Sequence, residues 1–164
     1  MAHSSPSAGA SVLVRPATNK DRPHLVELCS ALFREDGGVH DQSTVVDWPA
    51  RHGDRYFRDL AMGSHGTCWV AEDAGRICGY LVGRMRPVSD MRTVRVAELE
   101  EMYVAPRWRC AGIGGKLVDA FLEWAHMHGA DRAAVTAYAT NERALAFYRR
   151  HGFAPRSVSL ERPL

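Results

Sequence analysis

The stretch Val104-Ala105-Pro106-Arg107-Trp108-Arg109-Cys110-Ala111-Gly112-Ile113-Gly114-Gly115-Lys116-Leu117 decides how this chain reads. A strand-like run ends at Val104, Pro106 stops it, glycines follow, and an apolar stripe with helical spacing begins. The N–H groups at a helix start have no partners within the helix, and the helix dipole favours an anion there. Glycines let the backbone approach a phosphate with no side chain in the way. Arg109 and Lys116 add positive charge. The stretch therefore reads as a pyrophosphate cradle. It is not a P-loop, because Cys110 stands where the first glycine belongs and Leu117 replaces the Ser/Thr. It is not a dinucleotide turn either, because Leu117 occupies the third glycine position.

Working outward, Arg95–Val104 reads as the strand that feeds this turn, and Gly112–His128 as the helix that leaves it. The apolar stripe of that helix is Leu117, Val118, Phe121, Leu122 and Ala125. Upstream, Val12–Arg15 is a short strand, and a helix capped by Thr18 or Asn19 runs to about Arg34. Glu35–Asp47 reads as a polar loop and Trp48–Met62 as a second helix. Thr67–Ala71 and Arg76–Met85, joined by Glu72-Asp73-Ala74-Gly75, form a hairpin. Downstream, Arg132–Tyr138 is a strand, Asn141 caps a helix over Glu142–Arg150, and Ser157–Leu160 alternates as a final strand would. Residues 1–11, rich in Ser, Ala and Gly, read as a flexible tail, and 12–164 as one domain.

Composition sets the outer bounds. The 164 residues are 46% hydrophobic and 24% charged, which suits one globular domain and not a disordered chain or a coiled coil. A net charge of +2 argues against a dedicated nucleic-acid binder, although Arg149, Arg150 and Arg156 could serve one. No apolar run is long enough to span a membrane. Cys29, Cys68, Cys78 and Cys110 show no metal spacing and read as reduced thiols, which points to the cytoplasm. His126 and His128 lie two apart on a helix, on different faces, so no metal is expected there.

Arg109-x-x-Gly112-x-Gly114, after a strand ending Met102-Tyr103-Val104-x-Pro106, resembles the acetyl-CoA signature of the GNAT family of N-acetyltransferases. A second block, Asn141-Glu-Arg-Ala-Leu-Ala-Phe147-Tyr148-Arg-Arg-His-Gly152-Phe153, is similar to that family's Asn-x-x-Ala-x-x-Phe-Tyr-x-x-x-Gly-Phe. A third, Leu13-Val-Arg15-Pro16-Ala17-Thr18-x-x-Asp21, looks like its opening strand and helix. The resemblance covers about residues 12–164. It implies an α/β (α+β mixed) acyl-CoA N-acyltransferase fold, with a central mixed sheet of about six to seven strands flanked by about four helices. It implies acetyl-CoA as cosubstrate and no metal. The backbone around Met102, Tyr103 and Val104 would pair with the pantetheine arm. Amides from Arg109, Cys110, Ala111, Gly112, Ile113 and Gly114, with Gly115 and Lys116, would hold the pyrophosphate. Asn141 would bond the cofactor arm, and Tyr148 would sit near the thioester sulfur. A homodimer is common in the family.

Amide formation from a thioester requires a neutral amine, a donor for the developing oxyanion and a proton for the leaving thiolate. Tyr148, a phenol with an ordinary pKa near 10, suits the last role. Glu98, Glu100 and Glu101 are the candidate bases. Strict alternation sends Glu98 and Glu100 to one face and Glu101 to the other. Family members commonly carry a bulge in this strand. Histone-modifying members place their base where Glu98 falls, and spermidine/spermine acetyltransferases have an acidic pair where Glu100 and Glu101 fall; the latter two rank first. With Glu35, Asp36 and Asp41, these carboxylates favour a small cationic amine: a polyamine, an aminoglycoside or an amino acid. A protein lysine or N-terminus, or a non-catalytic acyl-CoA sensor, are the alternatives. Trp48, Tyr56 and Trp69 could shape the acceptor pocket, and Cys110 is not expected to act as a nucleophile.

Overall fold

β1 (Leu13–Pro16), β2 (Gly66–Asp73), β3 (Arg76–Met85) and β4 (Val96–Val104) pair antiparallel in chain order, and β5 (Arg132–Val135) adds parallel to β4. This is a computed structural model, and it describes residues 12–62 and 66–164. The tail expected over 1–11 lies outside the described residues. Four main helices flank the sheet: α1 (Arg22–Leu32), α3 (Trp48–Met62), α4 (Ile113–Met127) and α5 (Glu142–Arg150). A single turn, α2 (Gly38–His40), lies between the first two.

Strand alternation builds two cores. Tyr80, Val82 and Val70 point to one face, where Leu25 and Cys29 of α1 and Phe57 and Leu60 of α3 cover them. Leu81, Ala71 and Leu99 point to the other, against Leu117, Val118 and Phe121 of α4. Phe147 and Tyr148 of α5 pack on the edge of that second core. The β2–β3 turn is two residues, Ala74 and Gly75, both at positive φ (47° and 80°). That backbone matches the twist of the flanking strands.

The first helix is seated by an ion pair. Arg15 Nη1 and Nη2 donate to Asp21 at 2.8 and 2.9 Å, while Arg15 Nε donates to Glu72 at 2.8 Å. Asp21 in turn accepts from the Thr18 amide and hydroxyl at 2.7 and 2.9 Å.

Four expectations need correction. The described residues contain five strands, not six or seven. Ser157–Leu160 forms none: Val158 and Leu160 are 83% and 90% exposed, so the alternation buries nothing. Residues 35–40 are not a loop. The helix widens into a π turn over Phe33–Gly37 and continues through α2, and Gly37 packs against Thr44, where a Cβ would lie 2.6 Å from the threonine methyl. β5 also stops at Val135, three residues before the expected Tyr138.

Candidate active site

β4 pairs with β5 only from Val96 to Leu99; beyond that the two strands part. One edge of β4 is thereby left without a strand neighbour over residues 100–104. A cleft of about 530 Å³ opens along it, lined by Met102, Tyr103 and Val104 on one wall and by Val135, Thr136 and Asn141 on the other. That size lies within the usual range for small-molecule sites.

The cradle closes one end. Trp108 Nε1 donates to Asp73 at 2.9 Å and anchors the turn to the end of β2. Cys110 and Gly112 both adopt positive φ, 64° and 76°. Among the hydrogen bonds of the described residues, none uses the amides of Cys110, Ala111, Gly112, Ile113, Gly114 or Gly115. A Cβ on Gly114 would lie 3.1 Å from the Phe147 ring, and one on Gly115 would lie 3.1 Å from His151. Glycine is what lets α5 close against the start of α4. The arrangement fits a pyrophosphate: a run of free N–H groups at a helix start, with an extended edge leading away from it.

Two residues expected in the cradle do other work. Arg109 turns back, its Nε donating to the Val104 carbonyl at 2.7 Å and its Nη2 to Glu35 at 2.6 Å, with the guanidinium 5.1 Å from the Tyr103 ring centroid. Its own amide bonds Pro106. The Lys116 amide bonds Gly112 within the helix, and Nζ reaches the Val12 carbonyl at 3.4 Å, away from the cleft. Ala111 contributes its amide but does not line the cleft.

The bulge in β4 sorts the three glutamates. Val82 faces Glu101 and Gly83 faces Leu99, so Glu100 is the extra residue. Ala97 and Leu99 therefore face α4, whereas Glu101 and Tyr103 face α1 and α3. Strict alternation would have put all four on one side. Glu98 lies outside the cleft in a bidentate pair with Arg86 at 2.7 and 2.9 Å, which holds its carboxyl below the usual range. Glu100 lines the cleft but pairs with Arg84 at 3.1 Å. Glu101 lines the cleft from a buried position, accepting from Tyr80 Oη at 2.7 Å and from Cys29 Sγ at 3.5 Å. Burial raises its pKa, against the lowering effect of those donors.

Opposite stands Tyr148, packed edge-on against Phe147 and Phe153. Burial first, and the nearby Asp36 second, push its pKa up to about 12. Its hydroxyl has no hydrogen-bond partner among the described residues. Asn141 lines the cleft, but its side chain is engaged: Oδ1 caps α5 at the Ala144 amide (3.0 Å) and Nδ2 donates to Asp36 at 2.6 Å. Glu35 and Asp36, carried inward by the π turn, line the acidic end. Burial raises the Glu35 pKa, but bonds from Tyr103 and Arg109 more than offset this and leave it lowered. Asp41 is spent on Ser43, accepting at 2.6 and 2.9 Å, and does not line the cleft. The sequence carried no sign of Tyr80 beyond strand alternation, nor of the Arg84 and Arg109 pairings, which depend on register and on the bulge.

Comparison with known proteins agrees with this geometry. The model of the acetyltransferase (GNAT) family matches residues 30–153. An uncharacterized N-acetyltransferase, MJ1207, of Methanocaldococcus jannaschii is 29% identical over 146 residues, which is 88% of this chain and 62% of the relative. This chain thus spans about three-fifths of that relative's length. A mutant of the BH1408 protein from Bacillus halodurans superposes with a TM-score of 0.83 at 22% identity, over 93% of this chain and 99% of that one. The aminoglycoside N-acetyltransferase AAC(6')-Iy, solved with CoA, superposes with a TM-score of 0.75 at 18% identity, over 96% and 97%. A splayed sheet, a free-amide turn and a family match spanning both make this chain a member of the GNAT acetyltransferase family.

Proposed function

We propose that the protein transfers an acetyl group from acetyl-CoA to a primary amine of a small cationic acceptor by direct attack. The observation that carries this reading is the placement of Glu101 and Tyr148 in one cleft, along an unpaired strand edge that ends in free amides. Acetyl-CoA would supply the thioester carbonyl and a thiolate leaving group. The edge of β4 at Met102 and Val104 would bind the pantetheine arm as an added strand, and the amides of residues 110–115 the pyrophosphate. Glu101, with a raised pKa, takes the proton from the acceptor ammonium, directly or through water. An N–H of the splayed strand donates to the developing oxyanion. Tyr148, kept protonated by burial, returns a proton to the departing sulfur.

Charge supports the acceptor class. Arg84 neutralises Glu100 and Arg109 neutralises Glu35; Asp36 and Glu101 have no arginine partner among the described residues and can attract a cation, while Arg143 and Arg150 line the same cleft. The deciding experiment is thiol release from acetyl-CoA against polyamines, aminoglycosides, amino acids and a lysine peptide, with acetyl-CoA binding measured alongside by calorimetry. Turnover with a small cationic amine is expected. Turnover with the peptide alone would favour a protein acetyltransferase. Binding of acetyl-CoA without turnover across the panel would favour a sensor.

A further inference from the structure

Tyr80 is the largest fully buried side chain among the described residues, followed in its strand by the fully buried Leu81 and Val82. A phenol in such a place must find a partner for its hydroxyl, or lose hydrogen bonds it made to water. Its Oη donates to Glu101 Oε2 at 2.7 Å. Cys29, fully buried on α1, points its thiol at the same oxygen at 3.5 Å. Tyr56, from α3, lies near enough to that carboxylate to influence its charge. Three elements thus converge on one side chain that also lines the cleft.

We propose that Tyr80 is the positioning residue for Glu101, its hydroxyl gripping the buried side of the carboxylate so that the group stays aimed into the cleft. The proposal rests on reading Glu101 as the base. A carboxylate on a four-bond side chain would otherwise sample several rotamers, and a proton acceptor must be held within hydrogen-bond reach of the proton it takes. The same donor favours the ionised form and opposes the burial that would protonate it. The groups that face Glu101 are Cys29 from α1, Tyr56 from α3, Cys68 from β2, Tyr80 from β3, and Glu100 beside it in β4, with Arg84 standing against Glu100. Of these, Tyr80 makes the short bond at 2.7 Å, burial raising its pKa and keeping it protonated, whereas the Cys29 thiol donates only at 3.5 Å.

Tyr80→Phe keeps ring volume and removes one hydroxyl. The Glu101 carboxyl carbon is followed through a pH titration by carbon-13 NMR in glutamate-labelled full-length protein, with Glu101→Gln identifying its resonance. Tyr80→Phe is expected to raise the Glu101 midpoint by about one pH unit, a tenfold change in proton affinity. The acidic limb of the thiol-release profile should move up with it, while the affinity for acetyl-CoA stays unchanged. If Tyr80→Phe does not fold, the Tyr80 ring carbon that bears the hydroxyl, labelled in the parent protein, decides: it should shift with the Glu101 midpoint, and no shift there would overturn the proposal. A folded variant whose Glu101 midpoint matches the parent protein would overturn it too. If Glu101→Gln instead keeps both turnover and the acidic limb, the base assignment falls, and the NMR midpoints still report whether the Tyr80 hydroxyl holds the carboxylate.

Discussion

Tyr148 and the three glutamates separate cleanly by environment. Tyr148→Phe removes the proposed proton donor but keeps the edge contacts to Phe147 and Phe153. We expect kcat to fall by about 10²–10⁴-fold, the usual contribution of a general acid, with the acetyl-CoA dissociation constant unmoved. Glu101→Gln should fall in the same range. Glu98→Ala should leave kcat unaffected, because Glu98 lies outside the cleft and is committed to Arg86. Its half-exposed ion pair is worth about 0.5–1 kcal/mol, readable as a small shift of the denaturant midpoint. Steady-state kinetics of the three variants ranks the carboxylates. A loss of kcat in Glu98→Ala equal to that in Glu101→Gln would undo the assignment. The candidate residues themselves were legible from the chain, since a row of acids beside a glycine-rich turn is a local pattern. Their ranking was not, because it depends on one inserted residue in a strand and on which arginine each acid meets. Arg109 shows the same limit: its charge fits a phosphate, yet the nearest acceptors offered by the fold are the Val104 carbonyl and Glu35.

Elements whose signals are local formed where their sequence says they should. The β2–β3 hairpin, α4 and α5 each carry their own punctuation: Ala74-Gly75 at positive φ, Gly112 before Ile113, and Asn141 as an N-cap. Elements that depend on partners did not. Ser157–Leu160 has the alternation of a strand but no face to bury, and the π turn at Phe33 arises where α1 reaches the glycines at 37 and 38. Two close approaches between elements can be tested. A Cβ at Gly83 of β3 would lie 2.6 Å from the Phe121 ring of α4, in the middle of the core. Gly83→Ala should therefore destabilise the protein by about 1–3 kcal/mol, the cost of overpacking, measured by urea unfolding. At Gly114 the contact is looser, 3.1 Å to Phe147, and lies at the cleft. Gly114→Val should lower the urea midpoint only modestly, as its side chain presses on Phe147. It should weaken acetyl-CoA binding at least tenfold, because the side chain would intrude on the free amides and displace α5. Equal effects on folding and binding would mean that Gly114 serves only packing.

At the scale of the whole molecule, acid stability turns on the triad that ties the chain's first strand to its neighbour and to the first helix. Arg15 joins β1 to Glu72 on β2 and to Asp21 ahead of α1. Asp21 is 5% exposed and accepts four hydrogen bonds, two from Arg15 and two from Thr18. The Arg15 bond, outweighing burial, with help from Thr18, lowers its pKa to about 2 from an ordinary 3.8. A pKa lowered on folding adds stability above the unfolded value, and that stability is lost as pH falls through the folded one. The window is therefore about pH 4 down to pH 2, and the shift corresponds to about 2 kcal/mol at neutral pH. Asp21→Asn keeps the size of the side chain but cannot ionise. It should cost about 2 kcal/mol at pH 7, as read by urea unfolding, and the gap between variant and parent should close as pH falls to 2. The variant leaves Arg15 with Glu72 as its remaining acid, so the helix start loosens before the sheet does. A constant gap between parent and variant from pH 7 to pH 2 would show that Asp21 stabilises the fold by shape and not by charge.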